Sequence, residues 1–281
     1  MPYQAFLESH SAPRSGVYRR VFRTLTAEET AGAVLWAQSM SMALQSLMQT
    51  FEVTLRNRIH LSLSRQSTEG TSTPSDSFAW YDHQLGHHKL EGETFLKVER
   101  LLCDEQMVRL ERQPKPDRVV AALPFGVWPN ILEQQLPTPT VQARTFFEVF
   151  PHFPRKPRKH WNHAENRKTA IDKVKGVKAW RNRIAHCKPV WSEGWYRVSP
   201  SQHWTELLER VKGRHTELLE VLGWMCPPTV EVYRKSYCGR LFGQLISEQA
   251  VLAHIVQPQV PDIGPCSPVA DPEAMKAYKA R

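Results

Sequence analysis

From Thr26 to Ser64 the chain reads "TAEETAGAVLWAQSMSMALQSLMQTFEVTLRNRIHLSLS", with no proline and a single glycine. Strands in globular proteins rarely exceed about ten residues, so an unbroken run of this length is helix or nothing. Its apolar residues settle the choice. Ala33, Trp36, Met40, Ala43, Leu44, Leu47, Phe51, Leu55 and Ile59 recur at the three-and-four spacing of one helical face. Thr26 followed by Glu29 is a capping-box start. One long helix, or two abutting ones, is expected, with the polar stretch Arg65–Ser77 as the loop beyond it.

Later segments repeat the helical signal. Phe95, Val98, Leu101, Leu102 and Val108 predict a helix from about Glu93 to Arg112, ending before "QPKPD". Pro124, Pro129 and Pro137 cut the next stretch into short pieces, and Val141–Phe150 is a short amphipathic segment. Ile171, Val174, Val177, Trp180 and Ile184 mark a helix from about Trp161 to His186, and another follows over roughly Ser201–Leu222. No alternation is long enough for a sheet. The expected fold is all-α, a helical bundle with irregular insertions.

Within this frame one string occurs twice: "LRNRIH" at Leu55–His60 and "WRNRIAHC" at Trp180–Cys187. In the later copy Asn182 and His186 are four apart and stack on one helical face, while Arg183 and His186, three apart, are also neighbours. Arg181 and His186, five apart, flank a groove. A guanidinium carries a fixed charge and a fork of donors suited to phosphate, and an imidazole exchanges protons near neutrality. Together they suffice to cut RNA without a metal. Imidazole handles the 2′-OH proton, guanidinium stabilises charge on the phosphoryl oxygens, and Asn182 holds the ring or the sugar. One histidine cannot serve both ends of that reaction, so a homodimer pairing two such helices is implied. The same residues also fit an inert phosphate site, or ordinary surface residues at a helix end. In the earlier copy Glu52, Arg56 and His60 are spaced four and four with Asn57 beside them. They read either as a solvent-facing salt pair between Glu52 and Arg56 or as a carboxylate that orients Arg56 or His60 from beneath.

These motifs carry a resemblance. "FEVTLRNRIH" (Phe51–His60), "VVAALPFGVW" (Val119–Trp128), "WRNRIAHCKPV" (Trp180–Val190) and the Gly223–Trp224 pair, in this order, resemble the Abi-like (abortive infection) proteins of the HEPN superfamily. The likeness spans roughly Val21 to Pro228. It implies a HEPN-like helical domain over residues 1–228, followed by a helical extension and Pro-rich tail over 229–281. It further implies a homodimer with a composite active site, and a metal-independent endoribonuclease leaving a 2′,3′-cyclic phosphate, in anti-phage defence or toxin–antitoxin growth arrest. A cognate antitoxin or defence-system partner would restrain it. On this likeness Arg181, Asn182 and His186 are catalytic, with Glu52, Arg56, Asn57, His60 and Lys188 supporting. The chain departs from the family pattern at Cys187-Lys188, where His-Glu is usual. If the missing histidine carried a proton, the protein is instead an inert RNA-binding or regulatory relative; if it only shaped the groove, Lys188 adds attraction for RNA. Cys187 is not a nucleophile, since the 2′-OH already is one.

A formal charge of +9, from 37 Lys+Arg against 28 Asp+Glu, fits attraction to a polyanion as well as plain solubility. The basic run holding Arg155, Lys156, Arg158 and Lys159 beside Trp161 reads as a proline-rich loop that either tracks RNA, with the indole stacking a base, or is simply a solvated charged loop. Neither His83, His87 and His88 nor His160 and His163 has the companions of a metal site, so no metal and no other cofactor is expected. Met40, Met42 and Met48 read as core or dimer packing. Five scattered cysteines, Cys103, Cys187, Cys226, Cys238 and Cys266, make no framework spacing. With no signal-peptide pattern and no membrane-length apolar run, a cytoplasmic protein is expected.

Overall fold

A computed structural model describes residues 2–85, 89–155, 157–191 and 204–256, without the side chains of 157 and 158. Two short helices, α1 (Pro2–Ser9) and α2 (Ala12–Phe22), precede the long α3 (Ala27–Ser67). Five shorter helices follow: α4 (Gly92–Leu102), α5 (Pro116–Ala122), α6 (Val127–Asn130), α7 (Pro139–Val149) and α8 (Pro157–Asn162). Then come α9 (Ala164–Ala185), α10 (Trp204–Met225), α11 (Pro227–Lys235), α12 (Tyr237–Leu245) and α13 (Glu248–Val256). A π-helical turn, Ile131–Gln135, continues α6. The described residues contain no sheet, only an isolated bridge between Cys103 and Arg109.

The long Pro-free run is one helix of 41 residues, about 60 Å at 1.5 Å per residue. The expected capping box starts it: Thr26 Oγ1 accepts from the Glu29 N–H at 3.1 Å, and Glu29 Oε2 accepts from the Thr26 N–H at 3.3 Å. An isolated helix this long is held by its neighbours rather than by propensity, and α3 is the axis of the molecule. Its first half carries α1, α2, α12 and α13; α7, α9 and α10 also pack on it. Met40, Leu44, Leu47, Phe51, Leu55 and Ile59 are fully buried along it. So is Met48, whereas Met42 is exposed.

Several expectations need correction. The helix from Glu93 ends at Leu102 rather than near Arg112. Asp104 Oδ1 accepts the backbone N–H groups of Gln106 and Val108, and Leu110 N–H bonds the Leu102 carbonyl, so the chain doubles back instead of continuing. The stretch from Pro157 to Asn162 is helix, not loop: Pro157 stands at the first helical position, where its missing N–H costs nothing. The motif helix therefore starts at Ala164, after a break at His163. Residues 227–256 form the three helices that end the described chain, and the expected boundary at 228 falls inside the first of them. The Trp36 indole N–H donates to the Leu245 carbonyl at 2.9 Å, tying this extension to α3. The tail from 257, with Cys266, lies outside the described residues, as do His87 and His88. Among the described residues no helix is long and apolar enough to cross a membrane.

Candidate functional site

Antiparallel packing of α9 on α3 brings the two RNRI copies into one neighbourhood. Arg181 Nε lies 3.6 Å from Glu52 Oε2, with the arginine side chain 37% exposed and the carboxylate 17%. A guanidinium is thus steered from beneath by a mostly buried acid while its outer edge stays open to solvent. Beside this pair Phe51 of α3 packs edge-on against Phe125, ring centroids 6.3 Å apart, which sets the α5–α6 segment against the same patch. Asn182 is half-buried, and its Oδ1 stands 3.5 Å from Arg181 Nη1, at the outer limit of a hydrogen bond.

His186 caps α9 and is exposed, its N–H bonded to the Asn182 carbonyl at 3.0 Å. Among the described residues no hydrogen bond or ion pair joins it to Arg181. The turn after it explains the next residue. Cys187 N–H bonds Ile184 O at 2.9 Å and Lys188 N–H bonds Arg183 O at 2.8 Å. This pair of bonds is the Schellman ending, which needs a left-handed residue at the position of Cys187. Cys187 has φ 50° and an exposed side chain, a conformation glycine adopts without strain. Cys187→Gly is therefore expected to raise stability by about 0.5–1 kcal/mol, read as a higher urea midpoint; a lower midpoint would refute this account of the turn. Lys188 is exposed beside it.

Arg14 of α2 was not anticipated. Its guanidinium donates to the Cys187 carbonyl, one residue past the histidine, and so anchors the end of the motif to the N-terminal helices. Nothing local in "SAPRSG" signals this, because the partner is far along the chain. A groove of about 600 Å³ opens there, between α2, α3 and the end of α9, with Arg14, Gln45, Met42 and Lys188 on its walls.

The remaining expected site residues go elsewhere. Arg56 reaches the Ala121 carbonyl at 3.3 Å and so braces α5 against α3. Asn57 is exposed. His60 is a correction: it is 6% exposed and faces the core. The Trp80 indole N–H, which can only donate, bonds its Nδ1 at 2.9 Å, leaving Nε2–H towards Ser77 Oγ at 3.3 Å. Burial pushes its pKa below the ordinary imidazole value, against a smaller upward pull from Asp117. It latches the Ser77–Trp80 loop to α3 instead of facing solvent.

Trp161 is the second correction. It is fully buried, packed against Phe146, Phe150 and Phe153 with ring centroids 5.4, 5.7 and 4.8 Å away, so it cannot stack a base. Arg155 and Lys159 are exposed, while Lys156 and the Arg158 side chain lie outside the described residues. The run stands at the opposite end of α9 from Arg181, about 26 Å along the axis. Among the described residues no cluster of histidine, cysteine or carboxylate could hold a metal.

No family model, curated protein or solved structure matches this chain. Its class therefore rests on its own geometry: an all-α bundle with irregular insertions, and a solvent-open Arg–Asn–His set where its second RNRI helix ends.

Proposed function

We propose that this chain is a HEPN-type endoribonuclease of the Abi-like group, cutting RNA without a metal. The observation that carries the reading is Arg181, backed by Glu52 and open on its outer edge, with His186 exposed where the same helix ends. In the reaction the 2′-OH gives its proton to an imidazole and its oxygen attacks the adjacent phosphorus. Arg181 meets the charge that builds on the phosphoryl oxygens. The bond to the 5′-oxygen breaks, that oxygen takes a proton, and the products are a 2′,3′-cyclic phosphate and a 5′-hydroxyl. The two proton transfers call for two imidazoles, which a two-fold pair of chains supplies as His186 and its copy. Such an activity suits a defence or growth-arrest protein of the cytoplasm, kept in check by an antitoxin or another defence component.

One observation favours a second reading. Cys187-Lys188 replaces the usual His-Glu, and an inert RNA binder would tolerate that change. Incubating the purified chain with total RNA in EDTA separates the two. The nuclease reading expects fragments ending in a cyclic phosphate, and their loss in His186→Ala. RNA that is bound but intact with the native chain overturns it in favour of the binder.

A further inference from the structure

One turn before Arg181 on the same face of α9 stands Lys178. Its ammonium lies over Gly126, where a Cβ would come within 3.1 Å of Lys178 Cε and Nζ. A side chain at Gly126, part of the "PFGVW" stretch, would push the lysine tip aside by a few tenths of an ångström, while its φ of −61° is open to any residue. Among the described residues Lys178 has no hydrogen bond or ion pair, unlike Lys175 and Lys173 on the same helix, which pair with Glu133 and Glu217. Glu93, on the wall of the groove that Lys178 edges, attracts it, but that carboxylate is bonded to Lys97 at 2.9 Å, so the Lys178 ammonium keeps its donors for a further anion.

Lys178 forms the edge of a polar groove of about 510 Å³ between α4, the α6–π segment and α9, within the range of small-ligand sites. The π-helical turn Ile131–Gln135 presents Gln134 and Gln135 on its wall. Such turns recur at functional sites because they splay side chains that an α-helix would stack. Some of the wall's polar groups are already used: Asn130 Nδ2 donates to Thr94 Oγ1 at 2.6 Å, and Gln135 Oε1 accepts from the Glu91 N–H at 2.7 Å. Those bonds fix Asn130 and Gln135, leaving Asn130 Oδ1, Gln135 Nε2 and the exposed Gln134 amide to face a ligand. The rise from Lys178 to Arg181 is about 4.5 Å, less than one nucleotide step of extended strand.

We infer that this groove is a nucleotide subsite for single-stranded RNA. Lys178 holds the phosphate next to the one at Arg181, and the groove reads the attached base through the Asn130, Gln134 and Gln135 amides. The inference rests on the ribonuclease reading for its orientation, but its test does not need cleavage.

The test uses a fluorescein-labelled RNA hexamer and the full-length His186→Ala chain, with affinity followed by anisotropy over a range of salt. Adding Lys178→Gln is expected to weaken binding about tenfold and flatten the log–log salt slope by about 0.7, one single-strand phosphate contact. Gly126→Ala keeps the charge but displaces the ammonium, and should weaken binding part of the way. Gln134→Ala should even out the affinities of hexamers that differ in one base. Unchanged affinity and slope in Lys178→Gln overturns the subsite. The two readings fail separately. If the native chain cuts RNA while Lys178→Gln binds normally, the subsite alone is wrong. If the native chain cuts nothing yet Lys178→Gln flattens the slope, the nuclease alone is wrong.

Discussion

Arg181→Ala is expected to lower RNA cleavage by a hundredfold or more, the loss typical of removing one preorganised donor from a developing anion. Glu52→Gln should cost less, about tenfold, because it acts only through the arginine. Its carboxylate lies 3.6 Å from Arg181 Nε and is too buried to meet the substrate freely. That position predicts a particular kinetic split. The carboxylate restrains the guanidinium but also repels a phosphate, so its neutralisation should lower kcat while leaving KM unchanged or reduced. A purely structural role would move neither selectively. The double variant supplies the second check: with Arg181 already gone, Glu52→Gln should cost nothing further. Additive losses, or a raised KM with kcat intact, would refute the coupling between α3 and α9.

That coupling explains why the string RNRI occurs twice without doing the same thing twice. Four residues turn a helix through 400°, so a stripe spaced four and four drifts about 40° per step. Over the eight residues from Glu52 to His60 the drift reaches about 80°. Glu52 therefore faces α9, Arg56 faces the Ala121 carbonyl, and His60 turns inward to Trp80. In α9 the copy sits at the helix end, where the same letters run out into solvent at His186. Identical strings are placed by where their helices begin, end and pack.

The same distinction separates what could be read from the sequence and what could not. The 41-residue helix was legible because a single unbroken periodicity and a capping box are local signals. The all-helical class followed from it. The end of α4 was not legible: Val108 continues the apolar period, and only the Asp104 side-chain bonds reveal the reversal. Trp161 misled because an indole among bases has the composition of a nucleic-acid surface, while its burial is decided by Phe146 of α7 and Phe150 just past its end. Helices α1 and α2 are short, and the tie of α2 to the motif, Arg14 reaching a carbonyl 173 residues away, has no local signal. Lys178 carries no signal among so many bases until Gly126 is seen to make room for it.

Gly32, the one glycine of the long helix, carries the other large expected effect. In a helix interior glycine is worth about 1 kcal/mol less than alanine, so Gly32→Ala would stabilise α3 standing alone. In the folded chain a Cβ there would overlap the His254 carbonyl oxygen and lie 2.8 Å from its carbon and 2.9 Å from Ile255 Cα. These are backbone atoms of α13, with no rotamer to yield. The substitution must therefore lift α13 off α3, and the expected cost is about 3 kcal/mol, at the upper end for an overpacked site. Gly213 of α10 provides the control, because nothing lies within 4 Å of its would-be Cβ. Gly213→Ala should raise stability by nearly the full 1 kcal/mol of helix propensity. Urea unfolding of the two variants should thus shift in opposite directions from the same chemical change. Hydrogen exchange in Gly32→Ala should quicken first across Glu248–Val256. A Gly32→Ala chain at least as stable as the native one would mean that α13 does not rest on α3, and the extension would then be an appendage instead of a wall of the bundle.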